Sequence, residues 1–224
     1  MKIASIFKSI NGEVCKGHQG SVCGFIRLAG CNCSCQYCDT KKFQKKDSGI
    51  DMNIDEIIKA VQILQCQTVT ITGGEPLVQK KSLLDLIAKL YQTHHISIET
   101  NGSIEIPISW RSYVDSFVID YKCSSSGMKS KMKLKNYINA RYGDFIKFVI
   151  ANRKDFDDAI ALIKRVQKQR HDYFLLKWCF SPMFINVDFG IRPFTLFQWI
   201  NEEPLLKAAT PIINVQIHKM IEME

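Results

Sequence analysis

From Val22 onward the chain alternates short β-rich apolar runs with stretches in which apolar residues recur at helical spacing. The runs Val22 to Leu28, Thr68 to Thr72, Ile96 to Thr100, Phe117 to Tyr121, Phe145 to Ile150 and Phe174 to Phe180 predict strands, with Asn214 to His218 as a final edge. Between them, Asn53-Ile54-Asp55-Glu56 has the form of a capping box and opens a helix with Ile57, Ile58, Val61 and Leu64 on one face. A second helix carries Leu83, Leu84, Ile87, Leu90 and Tyr91, and a third, from Asp155 to Arg170, carries Phe156, Ala159, Ile160, Ile163 and Val166. Cys123 to Asn139, with three serines, a glycine and many lysines, predicts a loop followed by a short helix.

This alternation is the signature of βα units around a mostly parallel sheet. Six such units in 224 residues predict an α/β fold, a partial, open (β/α)6-like barrel, because a closed eight-unit barrel takes about 250 residues. A doubly wound open sheet is the alternative. No repeat or low-complexity linker divides the chain, so one domain spans 1–224. In either architecture, function collects at the carboxyl tips of the strands.

Composition narrows the class. No apolar run reaches the roughly 18 residues of a membrane span, and the apolar start Ile3 to Phe7 is too short for a signal sequence, so the expected location is cytoplasmic and no membrane partner is expected. Thirty Lys and Arg against 22 Asp and Glu favour anionic partners in general. The lysine-rich stretches 41–46 and 129–135 carry no nucleic-acid motif, which leaves RNA binding a minor reading. Nine cysteines, an odd number, argue against a disulfide framework and for thiolates with metal or redox work.

Four of those cysteines, Cys31, Cys33, Cys35 and Cys38, fall within eight residues directly after the first predicted strand. Buried structural thiols have no reason to cluster in a polar loop. Tetrahedral zinc generally draws on two separated Cys pairs, and Cys66, Cys123 and Cys179 are isolated. One tight loop supplying three soft thiolates suits an iron–sulfur cluster.

With Cys-x3-Cys-x2-Cys at Cys31, Cys35 and Cys38, the chain resembles the radical S-adenosylmethionine (SAM) superfamily. That resemblance implies a [4Fe-4S] cluster on these three cysteines, SAM on the open iron, and Cys33 as a spectator. Gly73-Gly74-Glu75-Pro76, after the second predicted strand, matches the element that meets the SAM amino group.

Further motifs run along nearly the whole chain: Asn11-Gly12-Glu13, Phe25 to Gly30, Cys38-Asp39-Thr40, Glu99 to Gly102, Asp120-Tyr121-Lys122, Ser181-Pro182 and Gln216-Ile217-His218-Lys219. Together they resemble the 7-carboxy-7-deazaguanine synthase family. The resemblance implies a lyase that converts 6-carboxy-5,6,7,8-tetrahydropterin to 7-carboxy-7-deazaguanine with loss of ammonia, toward the queuosine base, with hydrogen taken from C6. It further implies Mg2+ on Thr40. Substrate would be bound by Ile10, Asn11, Gly12, Glu13, Arg27, Thr72 and Glu224, and SAM by Tyr37, Cys38, Asp39, Gly74, Asp120, Tyr121, Lys122 and Ser181. A homodimer and an external electron donor such as flavodoxin or ferredoxin are implied as partners. Asn11 departs from the family's usual Gln, and Cys123 and Ser124 stand where prolines are common.

The residue chemistry is compatible with these roles. A carboxylate such as Glu13 accepts from a donor-rich guanidine-like edge, and a guanidinium such as Arg27 pairs with a carboxylate. Two alternatives remain at this level: a radical activase acting on a partner protein, which shares the cysteine spacing, and a zinc-containing RNA-binding module.

Overall fold

The computed structural model describes residues 1–185, 188–221 and 223, with the backbone alone at 185, 188 and 189. Its strands are β1 (Lys2–Ile10), β2 (Val22–Leu28), β3 (Ile50–Asp51), β4 (Thr68–Gly73), β5 (His95–Thr100), β6 (Ser116–Tyr121), β7 (Phe145–Ile150), β8 (Lys177–Pro182), β9 (Phe184–Ile185), β10 (Asp188–Phe189) and β11 (Ile212–Ile213). The α-helices are α1 (Ile54–Ile63), α2 (Lys80–Leu90), α3 (Leu134–Ile138), α4 (Arg153–Gln167), α5 (Pro193–Glu202) and α6 (Ile217–Met220).

Among the described residues, nine strands form one sheet in the order β11-β8-β7-β6-β5-β4-β2-β1-β3, while β9 and β10 pair as a separate hairpin. Every neighbouring pair from β2 through β4 to β8 and β11 is parallel, and β1 runs antiparallel to β2. The sheet does not close on itself, which is the partial barrel expected from the alternation of elements. No described helix is long and apolar enough to cross a membrane.

The period-two alternation of the strands divides the sheet into two chemically different faces. Ile26, Val69, Ile71, Ile96, Ile98, Phe117, Ile119, Ile146 and Phe148 point outward into the main core, under α1, α2 and α4. Burying each such side chain contributes about 1.5–3 kcal/mol, so this face holds the sheet while the other is free to be polar. The helices are fixed at their starts: Asn53 and Glu56 form the expected reciprocal capping box, and the Asn152 side chain accepts from Asp155 N. Each such cap is worth about 1 kcal/mol.

Two predicted strands need correction. The run Phe174 to Phe180 begins as a tight turn at Tyr173–Leu175, and the strand itself is Lys177–Pro182. Asn214 to His218 is not an edge strand, since the edge is Ile212–Ile213 and the chain then turns into α6. Asn214 instead uses its side chain to join Val14 N (3.1 Å) and Ser181 Oγ (2.8 Å). The first strand, β1, did not stand out from periodicity, because its burial is mixed on both faces.

Candidate active site

The inward-facing positions of the strands converge on one cavity. Arg27 on β2 stands beside Thr72 on β4, and Asp120 on β6 stands beside Lys147 on β7. Glu99 on β5, Val118 on β6 and Val149 on β7 line the same space. Val118 and Lys147 lie mid-strand and the others near the carboxyl ends of the parallel strands, where a barrel presents its chemistry.

The cysteine loop closes one side of this cavity. Its backbone is tied to the following segment by Gly30 N to Phe43 O (2.9 Å) and Cys31 N to Gln44 O (2.8 Å). From β4, Gly74 N donates to Leu28 O and Glu75 N to Gly30 O, both at 2.9 Å. This contact requires glycine. A Cβ on Gly74 would stand 2.1 Å from Gly30 O, and Gly73, at φ +132°, would place one 2.1 Å from Leu28 O.

Glu75 is buried and serves as an internal clamp, accepting from Leu77 N (3.0 Å), Thr100 Oγ1 (2.8 Å) and Asn101 N (2.6 Å). Burial pushes its carboxyl up to about 7. Asn101 extends the clamp to the cysteine loop through Asn32 Oδ1 at 3.1 Å.

The donor set fits an iron–sulfur cluster. Cys31, Cys35 and Cys38 are half-buried, unpaired and open to the cavity. Cys33 also lines it, but is nearly fully buried, and its backbone N–H donates to Cys31 Sγ at 3.4 Å. A polar ligand fits beside them: the buried Tyr37 hydroxyl has no hydrogen-bond partner among the described residues. Thr40 presents one neutral oxygen, 3.7 Å from Cys38 Sγ, and Asp39 is paired with Lys219 at 2.6 Å.

A buried charge network forms the opposite wall. Lys122 Nζ lies 2.6 Å from Asp120 Oδ2, and Lys147 Nζ lies 3.3 Å from Asp120 Oδ1. Lys147 also donates to Glu13, whose other oxygen accepts from Gln216. Burial opposes the charge on Lys147, but Asp120, Glu13 and Glu99 together outweigh it and keep the ammonium protonated. Glu99 is the opposite case. Burial, reinforced by the negative charge of Glu13, pushes its carboxyl up to about 7 while it accepts from Thr72 Oγ1 at 2.7 Å.

Of the residues singled out in the sequence, Ile10, Gly12, Glu13, Arg27, Cys31, Cys35, Tyr37, Cys38, Asp39, Thr40, Thr72, Gly74, Asp120 and Lys122 line this one cavity. Three have side chains placed elsewhere. Asn11 is buried beneath the cavity against Ser21, Cys23 and Thr70. Tyr121 points to the helix side, edge-on to Tyr137 and Phe148. Ser181 is buried and bonded to Asn214. Glu224 lies outside the described residues.

Lys147, Glu99, Gln216 and His218 also line the cavity without having been assigned a role there. Lys147 had a legible signal: a lysine inside the apolar strand Phe-Ile-Lys-Phe-Val-Ile must find anionic partners or leave the core. His218 lies against Gly12, where a Cβ would come within 1.6 Å of its Nδ1.

Comparison with known proteins agrees with this geometry. Residues 25–175 match the Radical SAM superfamily. The chain is 35% identical over 226 residues to the 7-carboxy-7-deazaguanine synthase of Clostridium acetobutylicum, covering 98% of this chain and 95% of that protein. It is 31% identical to the 7-carboxy-7-deazaguanine synthase of Koribacter versatilis, covering 99% and 96%. Among solved structures, QueE from Escherichia coli has a similar fold, with a TM-score of 0.67 at 18% identity over 96% of this chain and 92% of that one. The chain therefore belongs to the 7-carboxy-7-deazaguanine synthase family of the Radical SAM superfamily.

Proposed function

We propose that this protein converts 6-carboxy-5,6,7,8-tetrahydropterin to 7-carboxy-7-deazaguanine with loss of ammonia, in 7-deazapurine biosynthesis leading to queuosine. The observation that carries this reading is the shared cavity: a three-cysteine loop on one side and strand-borne groups of both charges on the other. Cys31, Cys35 and Cys38 would hold a [4Fe-4S] cluster, which with SAM supplies the radical chemistry. The chain's own part is to bind, orient and shield.

Glu13 is paired with Lys147 and anchored by Gln216, so its carboxylate is oriented to accept from the guanidine-like edge of a pterin. Arg27, stacked 4.9 Å from the Phe7 ring and 5.8 Å from the Phe43 ring, has its planar guanidinium fixed for a substrate carboxylate. Binding at both ends fixes one C–H of the substrate, which is where an enzyme gains from positioning. Gly12, Ile10 and Thr72 complete the substrate side, and Asn11 contributes through the buried bonds that hold that turn in place.

On the cofactor side, Gly74 permits close approach, and Tyr37, Asp39, Asp120 and Lys122 present polar groups to the SAM amino-acid and ribose portions. Tyr121 and Ser181 act through the strands they anchor. Mg2+ would take the Thr40 hydroxyl together with substrate oxygens and water, in keeping with the ion's habit of few protein ligands. A homodimer and a cytoplasmic location belong to the same reading. All nine cysteines are unpaired, as a reducing compartment keeps them.

The test is anaerobic incubation of reconstituted protein with carboxytetrahydropterin, SAM, Mg2+ and a reductant, followed by mass analysis. The expected products are 7-carboxy-7-deazaguanine and 5′-deoxyadenosine, with label from substrate deuterated at C6 appearing in the latter. SAM cleavage without any deazapurine would sink the reading. Thr40→Val should lower product formation more than iron content, and unchanged magnesium dependence would remove Thr40 from the metal site.

A further inference from the structure

The sheet does not close on itself: β11 and β8 lie at one end, and β2 and β1 lie near the other. Two segments far apart in sequence meet across the gap. One is the turn of residues 11–21 after β1, and the other is the stretch of residues 214–217 after β11. Val14 N donates to Asn214 Oδ1 at 3.1 Å, Ile217 N donates to Gly12 O at 3.1 Å, and Asn214 N is held on β8 through Phe180 O at 2.9 Å.

One exposed side chain ties the same two segments together. Gln19 Nε2 donates to Gly12 O at 3.0 Å within the turn and to Val215 O across the gap, with Asn214 Oδ1 at 3.3 Å. The backbone on either side of Gln19 is unusual. His18 at φ +70° and Gly20 at φ +85° flank it in the left-handed region, and Gly20 N is bonded to Asn11 O at 2.8 Å. A residue other than glycine is uncommon there and persists where its surroundings fix it.

The placement of these bonds bears on the cavity. Val215 and Ile217, the two residues bonded to Gln19 and Gly12, are the neighbours of Gln216, whose side chain donates to Glu13. Gly12, which accepts from both Gln19 and Ile217, directly precedes Glu13. The main chain is therefore pinned on both sides of Gln216 and immediately before Glu13. Gln19 itself stands outside the cavity lining, so whatever it does for substrate passes through these two residues.

The geometry points to Gln19 as a positioning residue for the reaction proposed above. By tying the turn after β1 to the segment after β11 it holds Gln216, and through Gln216 it holds the Glu13 carboxylate where the guanidine-like edge of the pterin meets it. This role presupposes the proposed function. A binding group misplaced by about 1 Å can cost an enzyme about a hundredfold, so a surface glutamine that fixes such a group affects turnover without touching the reacting atoms.

The test compares wild type, Gln19→Leu, Gln216→Ala and the double variant, each as reconstituted protein. Gln19→Leu keeps most of the bulk and removes both donors, and because the side chain is exposed the fold should survive the change. Iron content, SAM binding, equilibrium binding of carboxytetrahydropterin and the ratio of 5′-deoxyadenosine to deazapurine are measured. Hydrogen exchange over residues 214–219 reports on the contact itself.

Gln19→Leu should bind the pterin roughly tenfold more weakly, the order expected when ordinary hydrogen bonds are lost. It should also raise the ratio of 5′-deoxyadenosine to deazapurine and quicken exchange over residues 214–219, with iron content and SAM affinity as in wild type. Gln19→Asn, whose amide falls one methylene short, should show a smaller effect in the same direction, and it replaces the leucine variant if that one fails to fold. The decisive readout is coupling, because residues acting through one contact are not additive. The double variant should bind the pterin no more weakly than Gln216→Ala alone.

Additive losses in the double variant overturn the inference, as do wild-type pterin affinity and product ratio in Gln19→Leu. A parallel loss of iron or SAM binding in Gln19→Leu also overturns it, since that would mark general loosening. Wild-type protein that makes no deazapurine counts against the proposed function, while the exchange comparison still decides whether Gln19 orders the segment that carries Gln216.

Discussion

Lys147 and Glu13, 134 residues apart, meet as one buried ion pair, and the same ammonium lies 3.3 Å from Asp120 Oδ1. The pair joins the turn after β1 to the centre of the sheet, and so ties Glu13 on one part of the cavity wall to Asp120 on another. Removing this shared cation leaves the buried Glu13 carboxylate without its cation, while Asp120 keeps Lys122 at 2.6 Å.

Lys147→Met is therefore expected to destabilise the protein by about 3–5 kcal/mol, the range for breaking a buried pair. Urea unfolding measures this. The same variant should raise the ratio of 5′-deoxyadenosine to deazapurine product, because Glu13 loses the partner that fixes it. A variant of normal stability and normal product ratio would show that the network is incidental.

The ligand set is tested by iron content. Ala at Cys31, Cys35 or Cys38 should each abolish reconstitution, whereas Cys33→Ala should retain iron, since that residue is buried while the other three are half-exposed. Retention of full iron by any of the first three together with loss in Cys33→Ala would reassign the site.

Glu99 predicts a pH dependence of folding. Its carboxyl is pushed up to about 7 from the ordinary 4.5, by burial first and then by Glu13. Between these values the folded state binds more protons than the unfolded one, so the contribution of this group is full below about 4.5 and is lost as pH rises through about 7. The slope per proton is about 1.4 kcal/mol per pH unit. Glu99→Gln preserves an acceptor for Thr72 Oγ1 and removes the titration. Urea unfolding of the cluster-free protein from pH 5 to 8 should therefore give a flatter profile for the variant, and parallel profiles would exclude Glu99 as the source.

Gly74→Ala tests the β4 turn against the cysteine loop. A Cβ there would meet Gly30 O at 2.1 Å and Cys31 N at 3.0 Å, so the loop must shift. Destabilisation of about 1–3 kcal/mol is expected, with a fall in iron incorporation alongside it. Gly143→Ala is the control, since its nearest contact is an ordinary 3.6 Å.

Much of the site was legible because its spacing is local. The cysteine loop, the Gly73-Gly74-Glu75-Pro76 turn and the Asp120–Lys122 pair each lie within one short segment, and most of their residues line the same cavity. Lys147, Glu99 and Gln216 were harder to assign, because each gains meaning from partners on other strands or at the chain's end. Asn11, Tyr121 and Ser181 show the converse: they belong to motifs that mark the site, yet their side chains anchor the frame.

The sequence by itself determined the α/β alternation, the helix starts, the apolar outer face of the sheet and the three-cysteine loop, because periodicity, capping and ligand spacing act over a few residues. Tertiary structure alone decided that β1 pairs antiparallel beside β2, that Glu75 is a clamp, and that Glu13, Lys147 and Asp120 share one buried network. Those outcomes depend on which segments meet across long loops. A buried charge is tolerated only where its partners arrive together, and no local pattern records that meeting.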